Sequence, residues 1–122
     1  WADQMWMSRF ADVSAPEGGI AASTDLHQDW AALVAARRGL DRVIEEWSEN
    51  LSPEWLAGEV TWYSNLLQKT SSRKADILVM HFFNHQTHHR GHAHMILSVL
   101  GHEPPPLDLI YFLRSEDGQA FG

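Results

Sequence analysis

His81-Phe82-Phe83-Asn84-His85-Gln86-Thr87-His88-His89-Arg90-Gly91-His92-Ala93-His94 holds six of the chain's eight histidines, and their phase decides how the fold is read. Advancing about 100° per residue around a helix puts His81, His85, His88, His89 and His92 within an arc of about 100°, with His94 on the far side. Leu78, Ile96 and Val99 extend the same face, so the stripe is expected to point into a core. Ser72 can cap the helix that carries it. Gly101 suits its left-handed end, ahead of Pro104-Pro105-Pro106, which gives about seven or eight turns.

Burying five imidazoles costs several kcal/mol unless each nitrogen finds a partner. Two arrangements supply partners. In one, His85 and His89, at i and i+4, reach a single divalent metal ion. In the other, the histidines hydrogen-bond to one another and to carboxylates in a polar layer of the core. The two coexist if outer imidazoles hold the inner ones in place. Gln86 follows His85, so the glutamate that serves as general base in HExxH metalloproteases is missing.

Working outward, Trp1, Met5, Trp6 and Phe10 have helical spacing, which Ser14-Ala15-Pro16-Glu17-Gly18-Gly19 breaks. The chain opens on Trp1 and not Met, inside this helical pattern, so an upstream segment is expected. Leu26, Trp30, Leu33, Arg37, Leu40, Ile44 and Trp47 alternate steps of four and three, the seam of a long amphipathic helix. Ser23 or Thr24 would open it and Ser52-Pro53 close it. Arg37 is expected to lay its stem over apolar surface with its head in water. The β-prone Val60, Thr61, Trp62 and Tyr63, with Ser64-Asn65 to turn them, suggest a short ribbon. Leu107 to Leu113 is apolar enough to pack back on the core. The architecture is therefore all-α apart from that ribbon.

Length and composition bound the function. At 122 residues and 13.9 kDa, residues 1–122 make one domain. A net charge of -7 argues against a general phosphate-binding surface, so nucleic acid is not an expected partner. The absence of cysteine excludes disulfides, thiolate metal sites and cysteine nucleophiles, and it fits a reducing, cytoplasmic setting. The most apolar run, Ile77 to Phe83, is far shorter than the roughly 20 residues that span a bilayer, so no membrane partner is expected. Neither a GxSxG elbow nor a glycine-rich phosphate loop is present. The tryptophans and phenylalanines read as core, and His27 as part of a solvated turn. A long seam with few partners should make these residues self-associate.

Asn84-His85-Gln86-Thr87-His88-His89-Arg90-Gly91, with Gly101 and the segment Pro104 to Arg114, resembles the DinB family of damage-inducible proteins, which is unrelated to the DNA polymerase of the same name. The resemblance covers essentially the whole chain. Ala2-Asp3 with Trp6 is similar to the end of that family's second helix, and Val60 to Lys74 to its β-like connection. It implies a four-helix bundle, often a homodimer, whose first helix is absent from this chain. It also implies a divalent metal, commonly nickel or zinc, on three histidines. Two of these match His85 and His89, and the third would lie about one turn upstream of Trp1. His92 departs from the family, which usually has Gln there. It is the candidate catalytic proton carrier or a substitute ligand, and the roles of His81 and His88 stay open. The wider superfamily implies a metal-dependent transferase using a low-molecular-weight thiol, or a hydrolase, acting on a small-molecule substrate. The alternative is a metal-binding stress-response protein without catalysis.

Overall fold

A computed structural model describes residues 1–109. In chain order it has α1 (Ala2–Phe10), a 3₁₀ turn (Ile20–Ala22), α2 (Trp30–Glu49), α3 (Pro53–Ala57), β1 (Glu59–Ser64), β2 (Lys69–Lys74) and α4 (Ala75–Val99). The chain divides into two compact units, and the boundary falls within α4, after Phe82.

In the first unit, burial of a few large side chains explains where the helices form. Met7 and Phe10, three residues apart on α1, are buried with Ile44 of α2, Val60 of β1, and Ala75, Leu78 and Phe82 of α4. Phe82 is wholly inaccessible to solvent, so its truncation to Ala would cost about 3–5 kcal/mol. Phe10 stacks on Trp47 at 5.3 Å and meets Trp55 and Phe82 edge-on at 5.9 and 5.7 Å. These offset and edge-to-face contacts are the geometries that aromatic quadrupoles favour.

The seam of α2 is buried only toward its C-terminal end, where Leu40, Ile44 and Trp47 reach the core, whereas Trp30 is 76% exposed. The helix also starts later than Ser23 or Thr24. Ser23 closes the 3₁₀ turn, its N–H donating to the Ile20 carbonyl, and Asp29 becomes the cap by accepting from the Ala32 N–H at 2.8 Å. Ser52-Pro53 opens a helix as well as following one. Ser52 Oγ accepts from the Trp55 N–H at 3.1 Å, and Pro53 takes the first position of α3, where a missing N–H costs nothing.

The expected ribbon is present. β1 and β2 run antiparallel, with Val60 opposite Arg73 and Trp62 opposite Ser71, and Gln68 has a φ of 51° in the connection. Ser72 belongs to β2, where its hydroxyl donates to Glu59 and accepts from Thr61, so it does not cap α4. Strand pairing holds the chain extended to Lys74, and α4 begins three residues later than Ser72.

In the second unit, α4 runs from Phe83 to Val99 and ends on Gly101, whose φ is 83°. The Gly101 N–H donates to the Ser98 carbonyl and the His102 N–H to the Leu97 carbonyl, both at 3.0 Å, the two bonds of a Schellman end. No residue of this unit is buried among those described, and Ile96 and Val99 are 53% and 81% exposed. The expectation of a core-facing stripe is thus corrected for this part of the helix. Within its own unit no second helix or strand is described that could cover it. Of the Leu107 to Leu113 segment, Leu107 to Leu109 are exposed, and the remainder lies outside the described residues.

No helix among the described residues is long and apolar enough to cross a membrane.

Candidate functional site

The histidine segment stays helical through Gly91, and its polar side chains bond within the helix. Thr87 Oγ1 donates to the Phe83 carbonyl at 3.0 Å, and Arg90 donates to Thr87 Oγ1 at 2.9 Å. On such a helix, side chains four apart are neighbours. His85 and His89 use that spacing, with Nε2 atoms 3.3 Å apart and ring centroids 4.5 Å apart. Either one Nε2–H points at the other nitrogen, or both lone pairs face a common ion. The distance is longer than the usual 2.7–3.2 Å or so of an N–H hydrogen bond. With metal–imidazole bonds of about 2.0–2.1 Å, it corresponds to an angle of about 104–111° at a shared ion, close to tetrahedral. The separation alone is compatible with a hydrogen bond between the rings and with two positions of a tetrahedral ion such as zinc.

The neighbouring imidazoles continue the series. His88 lies 5.2 Å from His89 and 4.1 Å from His92, ring centroid to ring centroid, and His89 lies 6.1 Å from His92. His85 is half-buried, and the other three are exposed. The five-membered stripe therefore divides into four and one. His81, in the first unit, sets its ring edge-on to Trp6 at 5.2 Å. His94 is half-buried, and His27 precedes α2 in a loop. No group of three or more His, Cys, Asp or Glu side chains that could hold a metal ion occurs among the described residues.

Two arginines of the first unit make contacts that the sequence alone did not assign. The Arg37 side chain is 40% exposed, in keeping with a head that reaches water, and it also donates through Nη1 to Asp3 at 2.6 Å and through Nη2 to Asp41, linking α1 to α2. Burial works against its charge, but the hydrogen bonds and attraction of Asp41 and Asp3 outweigh that and raise its pKa above the ordinary arginine value. Its Nε is buried without a partner. Arg9 was not singled out by sequence, although Trp6 and Arg9 stand at the i, i+3 spacing that brings side chains together. Its guanidinium carbon lies 4.4 Å from the Trp6 ring centroid and 5.1 Å from that of Trp62.

The first unit also has a shallow cleft of about 560 Å³, lined by Phe10, Val43, Trp47 and Trp55 together with Asp12 and Glu46. None of the histidines lines it.

Compared with known proteins, the chain matches the family profile described as the DinB family over residues 2–120. No curated protein and no solved structure matches it.

Proposed function

The chain belongs to the DinB family, and from that premise we propose that it binds one divalent ion, nickel or zinc, through His85 and His89, in the service of a thiol-dependent transfer or a hydrolysis. The observation that carries this reading is the 3.3 Å approach of the two Nε2 atoms, set by one turn of helix and matched to a tetrahedral ion. An ion with an open coordination position lowers the pKa of a thiol or water and makes its anion available as a nucleophile.

The protein's own groups take distinct parts. His85 and His89 supply two nitrogens, and further ligands must come from groups other than the described histidine pair. His88, in ring contact with both His89 and His92, orients its neighbours. His92 is the proton carrier, since imidazole accepts and returns a proton readily near neutral pH.

Elemental analysis of the purified protein tests this reading. Near-stoichiometric nickel or zinc is expected, with loss of the metal in His85→Ala. Metal retained by the His85→Ala, His89→Ala double variant overturns it. The alternative reading is metal binding without catalysis. A coordination shell closed to added thiol would decide for that alternative.

A further inference from the structure

Arg9 occupies the last turn of α1, on the side where Trp6 and Trp62 meet. The two indole rings are 5.8 Å apart and inclined at 67°, so they form a corner, and the guanidinium sits against both rings. Ring faces attract a cation and fix its position, but they accept none of its N–H bonds in the plane of the guanidinium. The carbonyl end of α1 favours positive charge nearby, yet among the described residues no backbone oxygen accepts from Arg9.

Among the described residues no carboxylate pairs with Arg9, although the chain has sixteen acids and Arg37 takes two of them. Half-burial already lowers its pKa by removing water. Its nitrogens are nevertheless not among the buried, unpartnered atoms, so the donors reach solvent. A partly desolvated guanidinium, held by two ring faces with its donors unused, has the features of a prepared anion site.

We propose that Arg9, held in the Trp6–Trp62 corner, anchors a binding site for a small organic carboxylate. The planar fork of the guanidinium matches the two oxygens of a carboxylate in one plane. One guanidinium balances one negative charge, which suits a carboxylate better than a phosphate dianion. The apolar body of such a ligand can rest against the half-buried Trp62 beside it, since Trp6 already stacks on Phe10. This site is independent of the metal reading, because it lies wholly in the first unit and uses none of the four clustered imidazoles.

The test uses the whole chain with benzoate as probe, chloride holding the ionic strength constant, and the indole N–H resonances of Trp6 and Trp62 as readout. Saturable shifts of both resonances are expected, with at least tenfold weaker binding in Arg9→Lys, which keeps the charge but loses the fork. Circular dichroism of Arg9→Lys should match that of the parent. Shifts that fail to saturate overturn the proposal, as does equal benzoate affinity in Arg9→Lys. Saturation by inorganic phosphate but not by benzoate overturns the carboxylate assignment. Metal content is measured in the same samples, so failure of this site is distinguishable from failure of the His85–His89 reading.

Discussion

His92 stands one turn beyond His88, its ring 4.1 Å from that neighbour and 6.1 Å from His89. If it carries a proton in the reaction, His92→Gln should leave metal content unchanged and lower the rate by about a hundredfold or more with any thiol-dependent substrate found. Loss of the metal in that variant would instead make His92 a ligand, and an unchanged pH–rate profile would leave it with a structural part only. Arg37 shows why some residue roles cannot be read locally. Its place in an apolar seam suggested a stem over the core and a head in water, and the side chain is 40% exposed, but the head also pairs with Asp3, 34 residues away in sequence. Nothing in the neighbourhood of Arg37 announces that pairing. His85 and His89 are the opposite case: a one-turn spacing is local information, so their approach was legible from sequence.

Among the elements, those defined by spacing and punctuation were readable. The ribbon was visible in its first strand, where Val60, Trp62 and Tyr63 favour extended backbone, but its second strand, Lys69–Lys74, is polar and exists through pairing with the first. That pairing also explains the misplaced start of α4, since Ser72 has the side chain of a cap and the position of a strand residue. α3 was missed because Ser52-Pro53 reads equally well as a stop and as a start. Gly101 was read correctly as the end of α4, for a reason that can be measured. A φ of 83° costs a residue bearing a Cβ about 1–2 kcal/mol, while the space around the added Cβ is open. Gly101→Ala should therefore lower stability by about that amount if the fraying of this helix end is coupled to unfolding. Denaturant titration checks it, and an unchanged midpoint would mean that the last turn opens independently of the rest.

At the scale of the molecule, apolar exposure dominates among the described residues. Trp30, Met95, Ile96, Val99 and Leu100 are each more than half exposed. A chain with so much apolar surface in water should self-associate, and sedimentation should show its mean mass rising with concentration. A well-folded monomer across that range would show that these surfaces tolerate solvent. The two units also differ in their chromophores. All six tryptophans, Trp1, Trp6, Trp30, Trp47, Trp55 and Trp62, lie before the boundary at Phe82, whereas His85, His88, His89, His92, His94 and His102 lie after it. Indole fluorescence therefore watches one part of the protein, and the proton resonances of these six imidazoles, as distinct from those of His27 and His81, watch the other. Heating a single unlabelled sample while recording both signals reports, without any engineered probe, whether the aromatic core and the histidine helix melt as one body or as two.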